Sequence, residues 1–235
     1  MTEWWTYRLS DFLMFSARTY RRLFELHNAD LWPLPVIAGI GGALALVVAW
    51  RRRHLSARAT SMALTVLAAA WLWVAWAFQL QRYAAINTAG PWFAAAFALE
   101  ALLLVAAGLA SLRSSSEPPA SGRRWGLGLF AFAVLAYPWL GLLFGRPLSQ
   151  AEVFGIAPDP TALGTLGVLL LTSQPGDAIV ARRALALAWP IPLLWCAVSG
   201  ATLWAMEAPE APLLPVLAAI AVTVAVRSSR ANRAA

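Results

Sequence analysis

The sequence predicts an all-α membrane protein, a polytopic bundle of about seven transmembrane helices. Of its 235 residues, 60% are hydrophobic and only 12% are charged, whereas a soluble domain has about 45–50% apolar and about 25% charged residues. The apolar residues are collected into long runs, and about 20 such residues cross a bilayer as a helix. The excess apolar surface must face lipid, so we expect a multi-pass membrane protein.

Residues 1–31 are predicted to form a separate amphipathic helix before the bundle. Ser10 or Asp11 can cap this helix. Its apolar side carries Phe12, Tyr20, Leu23, Phe24 and His27, and its charged side carries Arg18, Arg22 and Glu25. With Trp4 and Trp5 before it, this pattern is typical of a helix at the level of the lipid headgroups. Packing of the helix on the end of the bundle is the alternative.

Residues 32–226 contain seven apolar segments, which we interpret as the transmembrane bundle. They cover residues 32–50, 60–80, 91–112, 125–145, 161–173, 184–206 and 211–226. The fifth segment is short, since a helix of its length spans only about 20 Å, whereas the hydrocarbon core is roughly 30 Å thick. We expect this segment to be extended upstream by residues 154–157, to thin the bilayer locally, or to be buried among other helices.

The arginines predict the orientation of the bundle. Twelve of the 18 lie in one set of connections and in the basic tail, residues 227–235, while six lie on the opposite side together with eight of the eleven acidic residues. Basic connections favour the cytoplasm, so we expect the N-terminus outside and the C-terminus inside. If the fifth segment were re-entrant, Arg182 and Arg183 would break this alternation. The net charge of +7 therefore indicates topology and contact with anionic lipid, and we predict no nucleic-acid partner.

The absence or scarcity of certain residue types limits which cofactors the protein could bind. All 18 basic residues are arginine, and the absence of lysine excludes a retinal Schiff base. His27 and His54 lie outside the apolar runs, which excludes a bis-histidine haem, and the single Cys196 excludes a disulfide or a cysteine-cluster metal site. The sequence also lacks the HExxH and GxSxG patterns. We therefore predict no metal, no enzymatic activity and no cofactor, the alternative being a cofactor that is held by carboxylates or purely by shape.

Glu100 is the only acidic residue well inside an apolar run. A carboxylate there is costly unless it faces the interior, takes up a proton or pairs with a donor. It could relay protons or bind a cation, or it could be a neutral group that hydrogen-bonds to a neighbouring helix. We place Tyr137 with Glu100 in a candidate intramembrane polar site, and Gln79, Ser199 and Thr202 are other possible partners.

A second candidate site is a polar mouth on the outer side. It would be formed by His27, Asn28, Arg82, Asn87 and Asp159, with Glu152 in the same connection as Asp159. If these loops converge, the mouth could admit a cation or a substrate. The alternative is ordinary loop polarity and helix capping. Asp159 lies between two prolines before the fifth segment, where it or Thr161 could cap that helix, or where the helix end could hold an anion or orient a substrate.

Glycines and prolines predict local features of the helices. Gly141 and Gly145 form a GxxxG pattern, which favours tight helix packing in membranes. Gly164 and Gly167 allow close backbone approach in the fifth segment. Pro190 should kink the start of the sixth segment, as should the proline two residues later.

Several sequence strings resemble a known family of bacterial membrane proteins. They are LFELHNADLWP at 23–33, AAINTA at 84–89, YPWLGLLFG at 137–145, FG at 154–155, PT at 160–161, TLG at 165–167 and PLLW at 192–195 with Gly200. In this order they resemble the family called domain of unknown function 6064, over residues 10–225. The resemblance implies a multi-pass protein of the bacterial inner membrane, with no catalytic residue assigned. In the family pattern a cysteine often stands at Asp159 and a glutamine at Glu100, which weakens a thiol role for that loop and favours hydrogen bonding by Glu100.

Two functions are compatible with these features. The first is a non-catalytic accessory or scaffold subunit that packs against other membrane proteins or against copies of itself, which suits short helices and scarce buried charge. The second is permeation of a small solute or ion through Glu100 and the outer mouth. A permeation path needs polar residues along several helices, and only Glu100 lies at depth in the sequence. We therefore favour the accessory subunit.

Overall fold

A computed structural model describes residues 14–52, 55–113, 120–172 and 179–234, and these residues form helices and turns without any strand. The α-helices are α1 (Ala17–Asp30), α2 (Leu34–Arg51), α3 (Ala57–Trp73), α4 (Gly90–Ser111), α5 (Ala120–Ala131), α6 (Leu140–Leu143), α7 (Pro158–Thr172), α8 (Ile179–Leu187), α9 (Pro190–Ala205) and α10 (Leu213–Ala234). The predictions that concern Trp4, Trp5, Ser10, Asp11, Phe12 and His54 lie outside the described residues.

Six described helical stretches are long and apolar enough to cross a membrane. They are Leu34–Arg51, Ala57–Ala85, Gly90–Ser111, Gly122–Leu143, Ile179–Ala205 and Leu213–Arg230. They correspond to six of the seven predicted segments, which confirms an all-helical, multi-pass membrane protein. The side of the membrane on which each end lies stays a prediction from the arginines.

The remaining predicted segment is α7, and it is buried by the other helices. Every residue from Pro158 to Thr172 is buried, and α7 lies against α3, α5, α9 and α10. At 1.5 Å per residue it is about 22 Å long, shorter than the roughly 30 Å of a hydrocarbon core. Of the three explanations for the short segment, burial among neighbouring helices is the one observed. Because protein surrounds α7, its length need not match the lipid.

Glycines allow α5 and α7 to cross at backbone distance. A Cβ on Gly167 would lie 2.7 Å from the backbone nitrogen of Phe130 and 2.9 Å from the carbonyl oxygen of Gly126. One turn earlier, a Cβ on Gly164 would lie 2.5 Å from the ring of Phe154. The close backbone approach expected in this segment is therefore observed at Gly167, where it fixes the position of α7 against α5, whereas Gly164 makes room for a side-chain ring.

Helix α1 packs on one end of the bundle. It begins at Ala17, where the Ser16 hydroxyl accepts a hydrogen bond from the Thr19 amide at 3.2 Å. Its buried residues are Tyr20, Leu23, Phe24 and His27, which confirms the predicted apolar side for the described part of the helix. The ring of Phe24 stacks on Phe78 with centroids 4.9 Å apart. These contacts agree with packing on the bundle, the alternative to a position among the lipid headgroups.

The GxxxG pattern at Gly141 and Gly145 lies at the end of a helix and does not mediate the packing of two helices. The prediction of tight helix packing there is therefore wrong. Helix α6 stops at Leu143, and Gly145 has a φ of +71°. The Arg146 amide bonds to the Gly141 carbonyl at 2.8 Å and the Gly145 amide to the Leu142 carbonyl at 3.2 Å. This pair of bonds is the Schellman motif, in which glycine takes the left-handed conformation at little cost. The turn directs the Arg146 side chain back over Gly141, where a Cβ would lie 3.4 Å from its Nε.

Helices α3 and α5 are each followed by a π-helical segment and then by a 3₁₀ turn, and each 3₁₀ turn positions a tyrosine. A π-helical segment, Val74–Leu80, extends α3 and is followed by a 3₁₀ turn that starts at Tyr83. A second, Phe132–Ala136, extends α5 and is followed by a 3₁₀ turn that starts at Tyr137. Such irregular turns are frequent at functional sites because they reorient side chains. Both tyrosines are buried at the same end of the bundle as α1.

The two ends of the bundle differ in charge. Arg123 donates hydrogen bonds to the carbonyl oxygens of Ala49, Trp50 and Arg52 at 2.9–3.1 Å, which joins the start of α5 to the end of α2. We call this the arginine end. The opposite end, which we call the acidic end, carries Asp30, Glu152, Asp159, Glu207 and Glu210, as well as Arg82 and Arg146. This distribution agrees with the two sets of connections that the sequence predicts.

Substitution of Gly167 by alanine should destabilise the bundle. The new methyl group would press on the backbone of α5, and such overpacking costs about 1–3 kcal/mol. We expect Gly167→Ala to lower the thermal unfolding midpoint in detergent. The matched control is Gly128→Ala on α5, because nothing lies within 4 Å of the position of its Cβ. Equal midpoints for the two variants would show that the crossing is looser than described.

Candidate functional site

The carboxylate of Asp159, at the first turn of α7, is a buried polar group with three hydrogen-bond donors around it. It is 1% exposed. Its Oδ1 accepts a hydrogen bond from Trp195 Nε1 at 2.8 Å, and its Oδ2 accepts from the hydroxyls of Ser199 at 2.7 Å and Tyr137 at 3.2 Å. These donors belong to α9 and to the 3₁₀ turn after α5. One buried carboxylate thus links three parts of the bundle.

The local sequence explains this arrangement. Trp195 and Ser199 are four residues apart and therefore lie on one face of α9. The chain that enters α7 is held by Thr161, whose hydroxyl donates to the Ala157 carbonyl at 2.7 Å and accepts from the Gly155 amide at 2.9 Å. The hydrogen bonds of Asp159 thus come from neighbouring segments and not from the first turn of α7. This differs from the capping interpretation of Asp159.

Beside Asp159 lies a second group of buried charges, which we call the acidic cluster: Arg146, Glu152 and Glu210. Arg146 Nη1 is 3.5 Å from Glu152 Oε1, and Arg146 Nη2 is 3.2 Å from Glu210 Oε1. All three residues are less than 10% exposed. They line a small pocket together with Tyr137, Leu140, Leu203 and Leu213. Tyr137 therefore borders both the pocket and Asp159.

Burial and the neighbouring charged groups shift the pKa of Glu152. Burial raises its pKa to about 8, the charge of Asp159 adds to this rise, and Arg146 opposes it. Within the described part of the chain, no group of three or more His, Cys, Asp or Glu residues is placed to hold a metal ion.

The residues of the predicted mouth do lie together at the acidic end, but their side chains bond to other protein segments of that end. His27 Nε2 lies 3.3 Å from the Ile156 carbonyl. Asn28 donates to the carbonyls of Ser149 and Ala151 at 2.9 and 2.8 Å. These bonds attach α1 to the connection before α7. Burial lowers the pKa of His27 to about 4, so its ring is neutral near pH 7 and Nε2 can donate to that carbonyl.

The other two mouth residues also make local contacts. Arg82 pairs with Asp30 at the end of α1. Asn87 accepts from the Ala89 amide at 2.9 Å and donates to the Tyr83 hydroxyl at 2.9 Å. Asn87 therefore closes a turn before α4, whose N-cap Ala89 has no side-chain cap, so the alternative of ordinary loop polarity explains it better than helix capping does. Of the predicted mouth residues, His27 and Asp159 are both 1% exposed.

Glu100 is separated from its predicted companion. Its side chain is fully buried on α4, and neither carboxylate oxygen has a hydrogen-bond partner among the described residues. Tyr137 and Ser199, two of its possible partners, bond to Asp159 instead. Gln79 is likewise buried, with both side-chain polar atoms unpartnered. The residues of the candidate intramembrane site are thus separated in the structure: Glu100 stands alone, and Tyr137 bonds to Asp159.

Sequence reasoning missed several residues of the site. In the sequence, Trp195 is one residue of an apolar string, and Arg146 and Glu210 are single charged residues in connections between apolar segments. A signal existed for Arg146, because it directly follows Gly145 at a helix end. No signal in one sequence indicates that Glu152 and Glu210 share that arginine.

Removal of the Asp159 carboxylate should weaken the acidic end strongly. Asp159→Ala would leave three buried donors without an acceptor, at about 1–3 kcal/mol for each unpaired group. We expect a clear drop in thermal stability, with Asp159→Asn intermediate because its amide oxygen can still accept. Glu207→Gln, an exposed change at the same end, is the control. An alanine variant as stable as the wild type would show that these hydrogen bonds contribute nothing net.

Comparison with known proteins places the chain in one family. A family model described as a family of unknown function, DUF6064, matches residues 17–235, nearly the whole chain. No curated protein and no solved structure matches it. The resemblance in the sequence strings is thus confirmed: the chain belongs to the DUF6064 family of unknown function.

Proposed function

We propose that the protein is a non-catalytic accessory or scaffold subunit of a membrane complex and that it packs against another membrane protein through α2. The observation that carries this proposal is the position of α2 at the edge of the bundle. Of its 18 residues, only Pro35, Gly42 and Leu46 are buried. Most of the helix surface is thus left for lipid or for a partner.

The outer face of α2 has the features of a helix-packing surface. Gly41 and Ala45 are exposed one turn apart, and nothing lies within 4 Å of where a Cβ on Gly41 would be. Ile37, Leu44 and Val48 flank them, with exposures of 58%, 62% and 49%. Small residues at this spacing let a second helix approach the backbone closely, and such packing is a main source of helix association in membranes.

The inner face of α2 is fixed in place. A Cβ on Gly42 would lie 3.1 Å from the side chain of Val134. At the arginine end, Arg123 holds the last turn of α2 through the carbonyls of Ala49 and Trp50. A surface that is held before binding loses less conformational freedom on association. The outer face of α2 is therefore suited to docking.

The test is the composition of the particle that mild detergent extracts from native membranes. We expect a second membrane protein in fixed stoichiometry, and we expect Gly41→Leu to release it because the larger side chain prevents close helix contact. The matched control is Gly128→Leu, which changes an exposed glycine on α5 that also has nothing within 4 Å.

Two outcomes would contradict the accessory proposal. One is a wild-type particle that contains a single copy of this chain and no other protein. The other is a complex that survives Gly41→Leu and Gly128→Leu equally well, since α2 would then not be the contact. A particle of several copies that Gly41→Leu dissociates would instead establish self-association through α2.

A second candidate is permeation of a small ion, and one observation favours it. Glu100 is fully buried in a candidate membrane span with neither oxygen partnered. Ionisable residues inside membranes are expensive and often mark ion or proton pathways.

Ion flux into vesicles with the purified protein tests this candidate. If Glu100 carries the ion, Glu100→Gln should abolish proton or cation flux while the protein stays folded, since the amide keeps the shape but cannot ionise. Glu207→Gln, which changes an exposed residue, should leave flux intact. Equal flux in wild type and Glu100→Gln would remove Glu100 from a transport role.

A further inference from the structure

Packing on the bundle accounts for only one side of α1. On the buried side, Phe24 stacks on Phe78, and the ring of His27 lies against the Ile156 carbonyl. The opposite side carries exposed residues along the length of the helix. A helix side that the protein leaves uncovered faces water, lipid or another molecule, and the residues on this side indicate which of these it contacts.

The first half of this uncovered side is basic. Arg18, Arg21 and Arg22 lie three and four residues apart, so their side chains emerge on the same side of α1. Arg18 and Arg22 are exposed and Arg21 is half-buried. Arg22 pairs with Glu25 at 2.7 Å, whereas Arg18 and Arg21 have no ion-pair or hydrogen-bond partner among the described residues. The guanidinium groups of these two arginines are therefore available to an external anion.

The acidic residues near α1 do not cancel this positive charge. Both acidic residues of the helix itself are paired, Glu25 with Arg22 and Asp30 with Arg82. Three further carboxyl groups of the acidic end are buried and are not part of its surface: Glu152, Asp159 and Glu210. The surface that α1 presents is therefore positive, although this end of the bundle contains most of the acidic residues.

The second half of the uncovered side is apolar. Leu26, Ala29 and, just past the helix end, Trp32 are exposed at a spacing of three residues, so they continue the side on which Arg22 lies. A surface that joins arginines to apolar residues suits the boundary between lipid headgroups and acyl chains, where arginine reaches phosphate and apolar side chains reach hydrocarbon. Water alone would leave the apolar half without a favourable contact.

The connections of α1 place this side at the level of the headgroups. Residues 31–33 join α1 directly to α2, whose candidate membrane span begins at Leu34. Trp32 precedes that span, Trp92 lies in the first turn of α4, and Trp204 lies in the last turn of α9. All three are more than half exposed, and exposed tryptophans at the ends of spans mark the interface between membrane and water. Helix α1 therefore leaves the bundle at this interface.

We propose that the uncovered side of α1 binds the headgroup phosphate of an anionic phospholipid in the leaflet at the acidic end, with Arg18 and Arg21 as the phosphate-binding residues. A guanidinium presents paired N–H donors that match the oxygens of a phosphate. Leu26 and Ala29 lie beside the acyl chains of the same lipid. A zwitterionic headgroup also contains a phosphate, but the arginines repel its positive group, so the site prefers a lipid with a net negative charge. The site is separate from the α2 surface and does not depend on the accessory role.

Photo-cross-linking in lipid nanodiscs tests this site. The full-length protein is placed in nanodiscs of phosphatidylcholine that contain a trace of a phospholipid probe with a photoreactive group in its acyl chain. The probe carries either a phosphatidylglycerol or a phosphatidylcholine headgroup, and mass spectrometry locates the cross-links in the chain. We expect the phosphatidylglycerol probe to label α1 in preference to the phosphatidylcholine probe, by about fivefold for each arginine that contributes.

Arginine variants assign this preference to α1. Arg18→Gln combined with Arg21→Gln should bring the labelling of α1 by the two probes to the same level, and the corresponding lysine variants should retain part of the preference because lysine keeps the charge but not the paired donors. Arg18→Gln alone, at an exposed position, should lose the part due to one arginine, and it decides if the double variant fails to fold. The matched control is Arg182→Gln with Arg183→Gln, which removes the same charge from exposed positions near the start of the Ile179–Ala205 span and should leave the labelling of α1 unchanged.

Three outcomes would overturn the proposal. Equal labelling of wild-type α1 by the two probes would show that the helix contacts lipid without selecting an anionic headgroup. Absence of label on α1 from either probe would show that its uncovered side faces water or another protein. An equal loss of preference in the Arg182 and Arg183 control would show that only the net charge of the protein attracts the lipid, and not a site on α1.

Discussion

The complete burial of α7 is the constraint on which the rest of the structure depends. A helix with all fifteen residues buried can be accommodated only if its neighbours come close and its polar groups are satisfied by protein. Gly126 and Gly167 provide the close approach. Thr165 accepts a hydrogen bond from the Trp71 indole at 2.9 Å, and Asp159 accepts three at the first turn. The helices that face lipid are arranged around this central element.

The burial of polar groups at the acidic end is a consequence of the same constraint. The connection that leads into α7 must bring Arg146 and Glu152 inside, because the Schellman turn at Gly145 folds the chain back over α6. Buried charges in a membrane protein are tolerated where partners surround them. Here three donors satisfy Asp159, whereas Arg146 alone faces both Glu152 and Glu210.

Particular elements show how far sequence reasoning reaches. The six long spans and the buried side of α1 follow from composition and from the helical period of 3.6 residues, since both are properties of one segment alone. The GxxxG prediction failed because the same two glycines suit a tight crossing or a left-handed helix end, and only the hydrogen bonds of Arg146 distinguish them. The pairing of Glu100 with Tyr137 was not observed because depth in the membrane does not specify which helix a side chain faces.

The sequence by itself determined that the chain is an all-helical membrane protein with two thirds of its arginines on one side and most of its acids on the other. Lipid selects apolar helices irrespective of how they pack, so this information is local. Only the tertiary structure decided that α7 lies in the centre, that Asp159 joins Tyr137, Trp195 and Ser199, and that Glu152 shares an arginine with Glu210. These contacts join residues distant in the chain. Their partners are chosen by shape and by the need to satisfy buried polar groups, and neither can be read from the pattern of a single segment.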